Sequence, residues 1–161
     1  MTHSSRKTLF YWLLTAYVAF IFVQSLFFKF SDSPETIYIF GKLETWASGL
    51  GATGLFSPGG IFSAYVVGSA ELVASLLLVG GLLSSKTLIH ALGAAMGLGV
   101  ISGAIFFHLF TPLGIEVLNA DGAYDGGELF IFACGVWLAC AIILFLRKDE
   151  LLMLWKQRNA R

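Results

Sequence analysis

Charge is scarce in this sequence. Asp, Glu, Lys and Arg make up 12% of its 161 residues, about half of the roughly 25% usual in globular proteins. So little charge cannot cover a water-exposed surface. With 57% hydrophobic residues and a mean hydropathy of +0.82, lipid is the expected solvent. Aromatic residues interleaved with a basic patch are missing, which argues against a nucleic-acid partner. Cysteine is nearly absent: Cys134 and Cys140 stand six apart, on different sides of one helix. That spacing forbids an intrahelical disulfide and matches neither CxxC nor a metal-ligand pattern. No Ser-His-Asp set, phosphate loop, dinucleotide fingerprint or electron-carrier motif is present.

What the chain does have is long apolar runs. A hydrocarbon core about 30 Å thick needs ~20 apolar residues of helix. Residues 9–29, 61–83, 88–110 and 128–146 meet that length, so an all-α membrane bundle of four spans is expected. Arg6 and Lys7 before the first run resemble a secretory leader. The run from Leu9 to Phe28 is long for one, however, and Lys29, Phe30 and Asp32 stand where small cleavage-site residues would be needed. A retained first helix is the better reading. Positive charge then sets the direction. With the N-terminus inside, Arg6, Lys7, Lys86, Arg147, Lys148, Lys156, Arg158 and Arg161 are cytoplasmic and only Lys29 and Lys42 are outside. Both termini, and a tail at 147–161, are therefore expected in the cytoplasm.

Between the first two spans, Ser33-Pro34 is a helix start with a capping serine and proline at the first position. Ile37, Phe40, Leu43, Trp46 and Leu50 recur at helical spacing. The expected element is an amphipathic interfacial helix over 34–50, anchored by Trp46. Residues 54–60, with Pro58, turn the chain back. The third span carries the pairs Gly93/Gly97 and Gly99/Gly103, which allow close helix approach, within one chain or between copies of a homo-oligomer.

Polar residues in this setting are the candidates for function. Glu71 lies deep in the second span, where an acid costs about 2.5–3.5 kcal/mol on insertion scales. It must face the bundle, with Gln24 and Ser102 as possible neighbours from other helices and Ser75 on its own face. Lys29, His108 and Glu128 all fall near the outer boundary and are expected to converge, together with Glu71, in one pocket under the 34–50 helix. There a lysine, a carboxylate and an imidazole can shift one another's pKa and move protons. Each also has a structural reading: Lys29 snorkels, Glu128 caps a helix N-terminus, and Glu71 specifies packing. Ser25, four residues before Lys29, shares its face. His90 reads as an interfacial residue. The loop from Asn119 to Glu128 is acidic and glycine-rich, a solvated loop or a weak oxygen site for a cation.

The pattern resembles the DoxX-like family of small four-span membrane proteins over residues 9–146. The likeness rests on Lys29 closing the first span and on the stretch Ala70-Glu71-Leu-Val-Ala-Ser-Leu-Leu-Leu-Val-Gly-Gly81. His108 ending the third span and Gly126-Gly-Glu128 opening the fourth complete it. The family's arginine early in the first span and its glycine before the lysine are absent. The resemblance implies a bacterial cytoplasmic-membrane protein, in some relatives a subunit of quinone-linked sulfur oxidation, in others one tied to membrane redox or thiol homeostasis. Three functions follow as expectations. The first is a redox-associated subunit that binds a quinone or other small molecule in an outer-side pocket and relies on a partner redox protein. The second is a non-catalytic scaffold or assembly factor, and the third a small proton- or cation-coupled transporter.

Overall fold

The computed structural model describes residues 3–159. Arg161 of the expected basic tail, and the side chain of Arg158, lie outside the described residues. Five helices follow one another: α1 (His3–Phe30), α2 (Pro34–Gly49), α3 (Ala64–Leu83), α4 (Thr87–Phe110) and α5 (Glu128–Asn159). Helices α1, α3, α4 and α5 are long and apolar enough to cross a membrane. The short α2 and the 111–127 loop lie at one end of this bundle, the α2 end. The 84–86 turn lies at the other, the hairpin end.

Lipid as solvent explains the surface. Phe27 and Phe20 are 74% and 65% exposed, far too much apolar area to leave against water. The core is built on helical stripes. On α1, Tyr11, Thr15, Val18, Phe22 and Leu26 are buried at spacings of three and four, and of these Val18 and Phe22 join Ala74, Leu78, Ala94, Val136 and Ile143 of the other spans in one core. Sequence periodicity hides such a stripe because the lipid-facing side is equally apolar.

Helices α3 and α4 cross at backbone distance. A Cβ at Gly93 would sit 2.6 Å from Leu78 N, and one at Gly81 would meet the backbone of His90. Gly97 abuts Phe22 and Cys140, whereas a Cβ added at Gly99 or Gly103 would meet nothing within 4 Å. Only the first of the two glycine pairs therefore packs within the chain. Gly93→Ala is expected to cost about 1–3 kcal/mol by forcing the crossing apart, and Gly103→Ala to stay within about 0.5 kcal/mol. Thermal unfolding in detergent separates the two.

Several boundaries differ from the sequence expectation. Helix α3 begins at Ala64, capped by Ser63, so Ile61 and Phe62 belong to the turn. The expected tail at 147–161 is no separate segment. Helix α5 continues to Asn159, about 48 Å at 1.5 Å per residue, because Leu, Met, Lys and Gln sustain helix and Arg147 is pinned inside. Ser33 caps α2 as expected, accepting from Thr36 N. The expected apolar face of α2 is split: Leu43 and Ala47 pack on Phe56 and Leu113, while Ile37 and Leu50 face outward. Trp46 turns its ring edge toward Phe107, 6.3 Å away.

Glu44 locks α2 to the 51–60 turn, accepting from Gly54 N at 2.6 Å, Phe56 N at 2.9 Å and Ser48 Oγ at 3.1 Å. The Gly54 and Phe56 amides hold its carboxyl below the usual carboxylate range. A depressed pKa contributes stability that is present above the ordinary value, about 4.3, and lost as pH falls through the lower folded value. The protection of the Gly54 and Phe56 amides, measured relative to intrinsic exchange at each pH, is therefore expected to fall on acidification below that ordinary value. In Glu44→Gln it should be low at every pH.

Candidate functional site

The face that Ser25 and Lys29 share, four residues apart on α1, looks directly at Glu71 of α3. Lys29 Nζ lies 3.0 Å from Glu71 Oε1 and 2.9 Å from Oε2, and it also donates to Ser25 Oγ at 3.1 Å. Ser25 Oγ is 2.6 Å from Glu71 Oε2 and 2.8 Å from the carbonyl of Phe22; its one proton serves either. All three ammonium protons are thus used. The side chains of Lys29 and Glu71 are 16% and 6% exposed, so the pair is nearly dry and the lysine is its more accessible member.

Gly68, one turn before Glu71, makes this approach possible: a Cβ there would lie 2.9 Å from Phe30 Cε1. Phe30 in turn stacks on Tyr65, with ring centroids 6.0 Å apart, and the Tyr65 hydroxyl donates to Asp32 Oδ2. Asp32 itself takes a positive φ of 50°, a conformation Asp tolerates better than most residues, which ends α1 and frees the chain to enter α2. Because α3 starts at Ala64, Glu71 is seven residues, or about 10 Å, below its end.

The other candidates go elsewhere. Gln24 and Ser102 are exposed on the bundle's outer faces, and Ser102 accepts from Trp137 Nε1 rather than approaching Glu71. Ser75 donates to the backbone carbonyl of Glu71, not to its carboxylate. His108 is buried at the α2 end, but its Nδ1 meets the carbonyl of Gly114 at 2.6 Å and its ring packs edge-on to Phe130. A carbonyl only accepts, so Nδ1 carries the proton. Glu128 is exposed at the first turn of α5, where a carboxylate suits the helix dipole. Of these candidates the structure therefore brings together the side chains of Lys29 and Glu71 alone, and adds Ser25. His108 fastens the 111–127 loop instead. So does Asp125, which accepts from Val117 N, Gly127 N and Leu129 N. Burial pushes its carboxyl up, but these amides, with His108 nearby, pull it further down to a net value below the usual range. Its oxygens are occupied by backbone rather than turned outward for a cation.

A second polar cluster, at the hairpin end, joins residues that the sequence does not connect. His90 is wholly buried, not interfacial. Its Nε2 lies 2.9 Å from Thr15 Oγ1 of α1, and its Nδ1 accepts from Arg147 Nε of α5 at 3.2 Å. Guanidinium can only donate, so the ring proton sits on Nε2 and points at Thr15. Arg147 Nη1 reaches Thr87 Oγ1 at 2.9 Å and Glu150 Oε2 at 2.7 Å, and the guanidinium lies 4.3 Å from the centre of the Tyr11 ring. The cluster ties α1, α4 and α5 together. Its only sequence signal is that Thr15, His90 and Arg147 each interrupt an apolar stretch toward the same end of three different helices. Thr15 and Lys29 are 14 residues apart on α1, so about 21 Å separates the two clusters, with the apolar core between them.

Among the described residues no group of three or more His, Cys, Asp or Glu side chains is placed to hold a metal ion. Comparison of this chain with models of known families, with curated proteins and with solved structures finds no match.

Proposed function

We propose that this multi-pass membrane protein is a redox-associated subunit of the DoxX-like kind, holding the headgroup of a quinone or a similar small molecule where Lys29 meets Glu71. The observation that carries the reading is a complete ammonium–carboxylate pair between two spans, with the stacked rings of Phe30 and Tyr65 on the same two helices. An amphiphile carbonyl would take the Lys29 proton now given to Ser25 Oγ, and a hydroxyl would donate to a free lone pair of the Glu71 carboxylate. The chain's part is to bind and orient such a ring; electrons would come from a partner redox protein.

Binding of a short-chain quinone to purified protein tests this. The neutral pair Lys29→Met/Glu71→Gln is expected to weaken binding about tenfold, the value of one charge-assisted hydrogen bond, while the bundle stays folded. Equal binding by wild type and double variant sinks the proposal.

One observation favours a second reading, a scaffold or assembly factor. Every buried side-chain nitrogen and oxygen among the described residues has a hydrogen-bond partner within the chain, as expected where polar groups fix helix packing. On that reading single substitutions at Lys29 or Glu71 change unfolding and no ligand is bound at all. For orientation, we propose that the hairpin end faces the bacterial cytoplasm, since it carries the basic residues at positions 86, 147, 148 and 156. A C-terminal reporter active only in the cytoplasm should be active; silence would reverse the topology.

A further inference from the structure

A groove on the outside of α2 is built from residues that neither polar cluster uses. It consists of two adjoining hollows of about 520 and 440 Å³ that share Tyr38 and Lys42. The first is largely apolar, walled by Ile37, Trp46 and Pro112. The second is lined by Lys42 from α2 and by Glu116 and Tyr124 from the 111–127 loop. Glu35 Oε1 accepts from Ala120 N and ties α2 to the 111–127 loop, and Leu43 and Ala47 of α2 pack with Leu113 of that loop.

Charge complementarity identifies the occupant. The Lys42 ammonium lies over the Tyr38 ring, 4.7 Å from its centroid, and has no ion pair among the described residues. Glu116 is exposed and likewise has no ion pair among them. One cation and one anion thus face the same hollow without meeting each other, and the hollow opens onto an apolar trough at the level where the spans end. Tyr and Trp with a lysine at that level are suited to the headgroup region of a bilayer. We propose that this groove seats a zwitterionic phospholipid with a primary ammonium, of the phosphatidylethanolamine class. The phosphate is held by Lys42, the ammonium by Glu116 and the face of Tyr124, and the acyl chains leave past Ile37 and Trp46. A purely anionic lipid fits worse, because Glu116 repels it. The site is independent of the Lys29–Glu71 reading.

The test is lipid retention by the full chain, purified from nanodiscs containing equal phosphatidylethanolamine and phosphatidylglycerol and counted by native mass spectrometry. Wild type is expected to keep phosphatidylethanolamine about fivefold over phosphatidylglycerol, the scale of one partly exposed ion pair. Glu116→Gln should abolish that preference, Glu116→Lys should reverse it, and Lys42→Met should lower retention of both lipids. Glu116 is exposed, so its variants fold and their thermal unfolding matches wild type. No preference in wild type, or an unchanged preference in both Glu116 variants, overturns the proposal.

Discussion

Lys29→Met is expected to destabilise the bundle by about 3–5 kcal/mol, the usual consequence of removing one partner from a buried ion pair. The Glu71 carboxylate would keep only Ser25, in a span where no water can replace the lost ammonium. Removing the other partner as well should restore most of that loss, because the double variant Lys29→Met/Glu71→Gln leaves no isolated charge and Ser25 still bonds the amide. Buried pairs replaced as pairs are often close to neutral. A double-mutant cycle on thermal unfolding in detergent measures the coupling directly. If the single substitution is as mild as the double one, the pair is not held dry in the way its geometry implies. The double variant's stability is also what makes it a clean test of ligand binding, since lost binding then cannot be blamed on lost fold.

Arg147→Ala should cost about 2–4 kcal/mol, through several hydrogen bonds from one charged group lost at once. It strips a donor from His90 Nδ1, from Thr87 and from Glu150, and uncovers the Tyr11 ring. Arg147→Lys is expected to recover only part of this. An ammonium can neither span the His90 and Thr87 acceptors from one planar fork nor stack flat on an aromatic face. Unfolding temperature ranks the three proteins, and protease cleavage beyond residue 147 should become faster in the same order, since Arg147 anchors the far half of α5. A lysine variant as stable as wild type would mean that charge alone, not fork geometry, holds α5 in place.

These two clusters differ in how far they can be foreseen. Lys29 and Glu71 are individually conspicuous because charge inside an apolar run is costly, and the inward direction of Glu71 follows from that cost alone. Their meeting is legible only as part of a wider pocket; that the two pair directly, apart from His108 and Glu128, is not. That pairing depends on the crossing of α1 over α3, which Gly68 permits, and nothing along the chain states that crossing. Gln24 is no neighbour of Glu71 for a related reason: one residue along a helix turns a side chain by about 100°, so Ser25 faces Glu71 and Gln24 does not. His108 and Glu128 share the α2 end with the pair, but the 111–127 loop engages the histidine first and the α5 terminus leaves the glutamate exposed. His90 looks interfacial in the sequence because its position near a helix end is all a sequence gives. Its burial comes with Arg147, 57 residues away.

The sequence by itself determined the solvent and the number of spans, because both follow from transfer free energies that add residue by residue along a helix. It also determined where α2 begins, since Ser33 and Pro34 act through bonds no longer than one turn. Only the tertiary structure decided which polar groups meet, which of the two glycine pairs on α4 is packed, and that α5 runs on past the span as one helix. In lipid every face of a helix is apolar, so no amphipathic period marks the buried side. Helix rotation and partner choice are then settled by close packing and by the few polar groups that must find one another.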